Sequence, residues 1–294
     1  MLGSLFGILA GLILFNLVTD PFNRNRLVDL GLPKDEVSTL INYQIFKILE
    51  FEHEPRPVIV LGDSRAEVLR ASYFAEAGRP DVYNFAFGGG TLYEAIDTFW
   101  LAAESTTLKQ VIVGVPFSMY TEANSMNRFP VARQVSRNFL SYYLSPLVTK
   151  ASAANILTAV TGRTYVTEEP DMSREEFWEY QLGPGTALHW GRWAQPNILL
   201  ARLEEVARYC AVQDIELIFW IPPTHQDLRD KLPDYGLEES YDRYKVELKR
   251  LGQVLDYDRP GELTATAENF SDPHHFNDEV AHQIVEDLVR ELGD

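Results

Sequence analysis

Short apolar runs and longer amphipathic segments alternate along most of the chain. The first apolar run, Val58-Ile59-Val60-Leu61, is continuous and ends at Gly62, which is typical of a buried parallel strand. Comparable runs predict further strands at residues 82–87, 110–115, 215–221 and 253–257. Segments with helical spacing of apolar residues lie among them, at residues 92–103, 198–212, 241–251 and 278–292. This alternation predicts an α/β fold with a doubly wound parallel sheet of about five strands and helices on both faces.

The beginning of the chain has a different pattern. Residues 2–18 contain no charged side chain, and Asn16 is the most polar residue among them. A helix of this length would be about 25 Å long, the short end of what crosses a bilayer. A cleaved signal peptide and a buried apolar helix are alternatives, although no Lys or Arg precedes the run and no clear cleavage site follows it. We predict a transmembrane anchor over residues 1–20; Arg24 and Arg26 after it favour a cytoplasmic C-terminal side.

A long stretch between the third and fourth predicted strands contains no strand-like run. It covers residues 117–197; residues 131–160 look helical, and residues 161–193 are rich in Trp, Tyr, Glu and Gly. We interpret it as a helical insertion near the strand ends that shapes a binding surface. The predicted organisation is therefore the anchor, a helical connection over residues 21–54, and a flavodoxin-like three-layer α/β/α domain over residues 55–294.

Composition and charge narrow the classes of function. The 294 residues are 46% hydrophobic and 23% charged, values of an ordinary folded globular protein. The chain has 26 Lys and Arg against 43 Asp and Glu, and a net charge of −17 disfavours nucleic-acid binding. A single cysteine, Cys210, excludes an intrachain disulfide and a thiolate metal cluster. We predict no metal and no cofactor.

The first predicted strand leads directly into Gly62-Asp63-Ser64-Arg65 and a helix-like segment. Ligands of doubly wound sheets bind beyond the carboxyl ends of the strands, so Ser64 would face the ligand site. Its hydroxyl is a potential nucleophile if a base activates it, and its backbone N–H would point toward an oxyanion. The alternative role for Ser64 is a helix N-cap.

A base for this serine is available near the end of the chain. The segment 270–277 reads Phe-Ser-Asp-Pro-His-His-Phe-Asn, so one short loop carries Asp272 and two imidazoles, His274 and His275. A carboxylate that orients an imidazole, and an imidazole that takes a serine proton, make up a serine-histidine-aspartate site. A surface histidine pair is the alternative; two adjacent histidines with one aspartate make a poor zinc site.

These segments together resemble the SGNH (GDSL-like) hydrolases. Gly62-Asp63-Ser64 matches the family's nucleophile motif, and Asp272-Pro273-His274-His275 matches its closing Asp-x-x-His block. Residues 84–91, Asn-Phe-Ala-Phe-Gly-Gly-Gly-Thr, fit its second block. The resemblance implies that Ser64 is the nucleophile, that His275 rather than His274 is the base, that Asp272 orients it, and that the N–H groups of Ser64 and Gly89 bind the oxyanion.

The third block of the family is where this chain departs from the pattern. Members usually have Gly-x-Asn-Asp after the third strand, and the Asn completes the oxyanion hole, but residues 114–117 read Gly-Val-Pro-Phe. Asn124 and Asn127 from the following loop are candidates to reach in and replace it. Further candidates for contact with the substrate are Arg65, which could bind an anion, His225 at the end of an apolar strand, and His274.

An anchored SGNH domain without the third block resembles the exported proteins that assist O-acetylation of cell-surface polysaccharides or D-alanylation of lipoteichoic acid. This resemblance implies a domain outside the cytoplasm that works beside a multi-spanning membrane O-acyltransferase. The expected function is a serine esterase or O-acyltransferase acting on acetyl esters of a polysaccharide. The alternatives are a non-catalytic carbohydrate-binding or assembly partner of a membrane O-acyltransferase, and a lipase or thioesterase of the same mechanism.

Overall fold

The structure is a computed structural model that describes residues 2–163 and 172–292; part of the predicted insertion, residues 164–171, lies outside the described residues. The helices are α1 (Leu2–Thr19), α2 (Lys34–Ile41), α3 (Tyr43–His53), α4 (Ser64–Glu67), α5 (Ala71–Glu76), α6 (Leu92–Ser105), α7 (Phe129–Arg137), α8 (Phe139–Tyr143), α9 (Pro146–Thr161), α10 (Arg174–Tyr180), α11 (Thr186–Trp190), α12 (Asn197–Gln213), α13 (Gln226–Arg229), α14 (Glu238–Leu251), α15 (Glu262–Ala265) and α16 (Asp278–Leu292). The strands are β1 (Val58–Leu61), β2 (Val82–Asn84), β3 (Gln110–Gly114), β4 (Glu216–Ile221), β5 (Gln253–Asp256), β6 (Phe270–Asp272) and β7 (His275–Phe276).

The chain divides into two compact units. The first contains the described parts of Met1–Pro55 and Arg128–Pro170, and the second contains the described parts of Arg56–Asn127 and Asp171–Asp294. The predicted helical connection therefore belongs to the first unit. The predicted insertion contributes to both units, because α7 to α9 belong to the first and α10 and α11 belong to the second.

The second unit is built on a parallel five-stranded sheet in the order β2-β1-β3-β4-β5. Val58 of β1 pairs with residues on both neighbouring strands, and Gly114 at the end of β3 pairs with Trp220. The chain thus starts in the middle of the sheet, moves to one edge, and returns to build the other side. This is the flavodoxin-like order, and it confirms the predicted doubly wound sheet.

Helices cover both faces of this sheet. On one face the alternate strand residues Val58, Val60 and Ile112 pack with α4, α5 and α16 in one buried apolar cluster. Successive side chains of a strand point to opposite faces, so the residues between them face α6, α12 and α14, which contact the sheet and one another. Continuous burial of β1 follows from this two-sided coverage.

The first unit is a helical assembly in which α1 packs against α8 and α9, α2 against α3 and α9, and α3 against α7. Asn16 of α1 is fully buried, and its amide donates to Tyr143 O at 2.8 Å and to Thr149 Oγ1 at 3.0 Å. One turn later, Thr19 Oγ1 donates to Ser152 Oγ at 2.7 Å. The last turns of α1 are therefore fixed to other helices through buried polar bonds.

The prediction of a transmembrane anchor is wrong. Residues 2–19 do form one helix, but none of the helices in the described ranges is both long enough and apolar enough to cross a bilayer. The physical reason lies in the C-terminal turns of α1, where Asn16 and Thr19 are committed to polar contacts with α8 and α9. The membrane-anchored localisation that we inferred from this run is corrected with it.

Candidate active site

The turn after β1 brings Ser64 to the carboxyl edge of the sheet. The chain passes through Gly62 with a φ of 151°, where an added Cβ would lie 2.7 Å from Ala66 Cβ. Asp63 then caps α4, because its carboxylate accepts from the Arg65 backbone N–H at 3.0 Å. The predicted N-cap role therefore belongs to Asp63, and the Ser64 hydroxyl is left for other contacts.

Asn84, at the end of the neighbouring strand β2, holds this short helix in place. Its amide nitrogen donates to Ala66 O and Leu69 O, both at 2.7 Å, and its oxygen accepts from the Ala86 N–H at 2.8 Å. The side chain is buried. All three contacts replace bonds that the backbone would otherwise make to water, so Asn84 fixes the element that carries Ser64.

Ser64, His275 and Asp272 form one chain of hydrogen bonds. Ser64 Oγ lies 2.8 Å from His275 Nε2, and His275 Nδ1 lies 2.7 Å from Asp272 Oδ2. The antiparallel pairing of β6 and β7 places Asp272 directly opposite His275. The carboxylate only accepts, so Nδ1 carries a proton, and in a neutral imidazole Nε2 is then free to accept from the serine hydroxyl.

The surroundings keep Asp272 ionised. Its side chain is only 6% exposed, against 34% for His275. Burial acts to raise the pKa of Asp272, but the hydrogen bond and charge of His275 outweigh it, so the pKa is lowered. The second carboxylate oxygen accepts from the His274 N–H at 2.8 Å, so both oxygens are occupied. A fixed anion of this kind orients an imidazole and stabilises its protonated form.

A small polar pocket of about 160 Å³ opens beside Ser64. Its lining is Asp63, Ser64, Arg65, Gly89, Gly90, Ser118, Met119, Asn124, Gln181, His189, His274 and His275. Gly89 has a positive φ of 67°, and a Cβ on Gly90 would lie 2.7 Å from Gly62 O. Gly90 therefore allows the backbone to approach the turn before Ser64 more closely than a residue with a side chain would, and Gly89 adopts a left-handed conformation that favours glycine.

Six of the predicted site residues line this pocket, and Asp272 lies behind His275. Two other candidates are held elsewhere: Asn127 donates to Asp97 Oδ2 at 2.7 Å, and His225 is buried edge-on against the ring of Trp178. His225 also caps α13 by accepting from the Asp227 N–H at 3.2 Å. Neither residue lines the pocket and each makes a structural contact, so the structure gives no support to the prediction that His225 and Asn127 contact the substrate.

Arg65 lines the pocket, but its charge is already compensated. Its Nε lies 3.1 Å from Asp63 Oδ2, its Nη2 also binds that oxygen, and Nη2 donates to Ser118 Oγ at 3.0 Å. Burial acts to raise the pKa of Asp63, but the charge and hydrogen bonds of Arg65 lower it. Because both side chains are buried and paired, Arg65 is a part of the scaffold around Ser64 rather than an independent anion site.

The sequence analysis missed His189 and Gln181. Gln181 begins a single π-helical turn, Gln181–Gly185, which joins α10 to α11, and His189 lies in α11; both residues line the pocket. Such turns are frequent at functional sites. The pKa of His189 is lowered by burial and by Arg65, and the same two causes lower the pKa of His274 to about 3. Both imidazoles are therefore neutral near pH 7.

Within residues 2–163 and 172–292, no group of three or more His, Cys, Asp or Glu side chains is arranged to hold a metal ion. The pocket brings together the Ser64 hydroxyl, the His275 imidazole and the polar groups around them, with Asp272 behind His275. Such a set supports nucleophilic attack by a serine oxygen with proton transfer to an imidazole.

No family model matches the sequence, and no curated protein matches it. Several solved structures are similar in their chain trace. One is provisionally described as a platelet activating factor from Streptococcus pneumonia, with 9% identity and a TM-score of 0.45, covering 88% of this chain and 94% of the other. A second, provisionally described as an acylhydrolase from Bacteroides fragilis, has 11% identity and a TM-score of 0.43 over 85% and 95% of the two chains. A GDSL-like lipase from Bacteroides thetaiotaomicron has 10% identity and a TM-score of 0.40 over 85% and 96%.

Proposed function

We propose that this protein is a serine esterase of the SGNH (GDSL-like) type that forms an acyl-enzyme at Ser64. The observation that carries the proposal is the unbroken bond chain from Ser64 Oγ through His275 to Asp272, with separations of 2.8 and 2.7 Å. Both distances are within the range for proton transfer between a nucleophile and its base. The segments involved are distant in sequence, so local turn formation alone does not explain their alignment.

In the proposed reaction, Ser64 Oγ bonds to the ester carbonyl carbon while His275 Nε2 takes the hydroxyl proton. The carbonyl π electrons move to oxygen, and the N–H groups of Ser64 and Gly89 stabilise this oxyanion. His275 then gives its proton to the departing alkoxide, which leaves an acyl-serine. A second hydroxyl compound, water or a sugar, attacks the acyl-serine, passes its proton to His275, and releases Ser64 when that proton returns.

The size and polarity of the pocket support a short acyl group, such as acetyl. Pockets for drug-sized ligands are about 300–1,000 Å³, whereas this one is about 160 Å³ and is lined largely by polar groups. A long acyl chain would need a continuous apolar surface, and Met119 is the large apolar side chain in the lining. These features argue against the lipase and thioesterase alternatives.

As acceptor we propose a hydroxyl of a polysaccharide, with water as the competing nucleophile. His275 is a third exposed and Asn124 is exposed, so the serine can be approached by the edge of a large alcohol. An O-acyltransferase partner that supplies the acyl group is part of the same proposal. If the protein only binds carbohydrate or assists assembly, the bond chain would have no catalytic consequence, and this is testable directly.

The test is covalent labelling followed by mass spectrometry. We expect a fluorophosphonate to modify Ser64, and the modification to be absent in Ser64→Ala and strongly slowed in His275→Ala. His282→Ala is the matched control, because this histidine lies on α16 of the same unit with a 44% exposed side chain. An unlabelled wild-type protein that also fails to hydrolyse p-nitrophenyl acetate would favour the non-catalytic alternative.

Two further experiments test the length of the acyl group and the choice between water and a sugar hydroxyl as acceptor. Hydrolysis rates for p-nitrophenyl acetate, butyrate and octanoate should fall with chain length, because the pocket accommodates a short acyl group. Adding a methyl glycoside to the acetate reaction should produce an acetylated sugar detectable by mass spectrometry if a sugar hydroxyl competes with water. Faster turnover of octanoate than of acetate would contradict the proposed acyl preference.

A further inference from the structure

The oxyanion hole lacks the asparagine that the SGNH resemblance leads one to expect. At that point in the chain stands Pro116, which has neither an amide side chain nor a backbone N–H to donate. Two residues later comes Ser118, whose side chain lines the pocket together with Ser64 and Gly89. We propose that the Ser118 hydroxyl, fixed by the buried Arg65, is a catalytic residue that donates the third hydrogen bond to the oxyanion. The inference rests on the proposed esterase function.

The direction of the Ser118 hydroxyl proton follows from its partner. Arg65 Nη2 lies 3.0 Å from Ser118 Oγ. A guanidinium group carries donors only, so the serine oxygen accepts in this contact and its own proton points elsewhere. Among the residues that the structure describes, Arg65 is the only hydrogen-bond partner of the Ser118 side chain. The hydroxyl proton is therefore available to a group bound in the pocket.

The charge of Arg65 makes this hydroxyl a better donor. A hydroxyl that accepts a hydrogen bond from a cation is polarised, and the hydrogen bond that it donates to an anion is therefore stronger. Arg65 is itself immobilised, because its Nε lies 3.2 and 3.1 Å from the two oxygens of Asp63, and Asp63 caps the helix that begins with Ser64. Arg65 is thus a positioning residue that links the nucleophile's helix to the proposed donor.

The competing donors are less well prepared. Asn127 already donates to Asp97, and Asn124 is an exposed side chain on the loop before α7. Oxyanion donors act by being fixed before charge develops, so a half-buried hydroxyl bonded to Arg65 is favoured over an exposed amide. Ser118 also lines the same pocket of about 160 Å³ as Ser64 and Gly89.

In the reaction step, Ser64 Oγ forms its bond to the carbonyl carbon and its proton passes to His275 Nε2. The carbonyl π pair becomes a lone pair on oxygen, and Ser118 donates a hydrogen bond to that oxygen while keeping its proton. When the tetrahedral species collapses, the pair returns to the carbonyl and the alkoxide leaves with the proton from His275. Ser118 is therefore unchanged over the cycle, and its effect is confined to states that carry the oxyanion.

The test measures kcat and KM separately with p-nitrophenyl acetate. For Ser118→Ala we expect kcat to fall about 100- to 1,000-fold, with KM changed by less than about threefold, because the lost bond is made chiefly in the transition state. Ser118→Thr retains the hydroxyl and should recover most of kcat. The matched control is Ser105→Ala, which removes a hydroxyl bonded to Leu101 O at the far end of α6.

Arg65→Lys tests the positioning role, because lysine keeps the charge but loses the planar fork that binds Asp63 and Ser118 together. If Arg65 acts through Ser118, the double variant with Ser118→Ala should be no slower than Ser118→Ala alone. If the rate losses of the two single variants instead multiply in the double variant, Arg65 does not act through Ser118. Should Ser118→Ala not fold, as judged by circular dichroism, Ser118→Cys replaces it, since a thiol is a weak donor of similar size.

The outcomes distinguish a failure of the proposed role of Ser118 from a failure of the proposed esterase function. A wild-type enzyme that is labelled at Ser64 and a Ser118→Ala variant with unchanged kcat would overturn the role of Ser118 and leave the esterase intact. A Ser118→Ala defect confined to KM would also overturn it, because that result describes substrate binding. A wild-type protein with neither labelling nor turnover would overturn the esterase and this inference together.

Discussion

Replacing Asp272 by asparagine should reverse the hydrogen-bond direction along the whole chain to Ser64. In the wild type, one carboxylate oxygen accepts from the His274 N–H at 2.8 Å and the other lies 2.7 Å from His275 Nδ1. An amide has one oxygen and one NH₂ group. The buried N–H of His274 needs an acceptor, and leaving it without one costs about 1–3 kcal/mol. The amide oxygen should therefore face His274, which turns the NH₂ group toward His275 Nδ1.

This orientation forces the wrong tautomer on His275. With a donor facing Nδ1, that nitrogen has to accept, and the ring proton moves to Nε2, which points at the Ser64 oxygen. Nε2 then has no lone pair to receive the serine proton. In serine–histidine–aspartate sites the corresponding change lowers kcat by about 10⁴-fold, equivalent to about 5 kcal/mol of activation free energy.

The assay is kcat for p-nitrophenyl acetate, measured together with the rate of fluorophosphonate labelling. Asp81→Asn is the matched control, because this carboxylate is paired with Arg79 before β2 and does not line the pocket. We expect Asp272→Asn to lose both activities while Asp81→Asn retains them. An Asp272→Asn enzyme within about tenfold of wild type, about 1.4 kcal/mol, would refute the tautomer argument.

Three further outcomes are expected. Asn84→Ala leaves two backbone carbonyls without their donor, so urea unfolding should show a loss of about 1–3 kcal/mol, and kcat should fall as well. Gly90→Ala places a Cβ 2.7 Å from Gly62 O, so both the thermal midpoint and the acetate hydrolysis rate should decrease relative to wild type. Folding lowers the pKa of His274 to about 3. As the pH falls through the ordinary histidine range, the imidazole is therefore protonated in the unfolded chain but stays neutral in the folded one, which favours unfolding. Its contribution is therefore complete at neutral pH and is lost toward pH 3, and unfolding free energies measured from pH 7 to pH 4 should fall less steeply in His274→Phe.

The parts of the fold that the sequence predicted well depend on local patterns. The strands β1, β3 and β4 are continuous apolar runs because helices cover both of their faces, and such runs are visible without knowing the partners. Ser64 and the Asp272–His275 pair were found for a similar reason: each lies in a short segment whose residue order reflects a local turn. Their meeting in space was a hypothesis, and the geometry agrees with it.

The parts that were missed depend on contacts between distant residues. The apolar composition of α1 does not distinguish lipid from neighbouring helices, and the buried bonds of Asn16 were needed to show that its last turns pack on protein. His189 has no motif around it, because a helical turn far from the strands brings it to the pocket. Asn127 was a plausible donor by residue type alone, but its bond to Asp97 is long-range in sequence.

Ser64 and His275 are 211 positions apart, one at the start of α4 and the other in the hairpin before α16. A nascent chain emerging from the ribosome therefore exposes the proposed nucleophile long before the imidazole proposed to activate it has been synthesised. The hydroxyl is a poor nucleophile until then. Under the proposed function, esterase competence should accordingly arise only after the β6–β7 hairpin and α16 have docked, and its onset would report that docking.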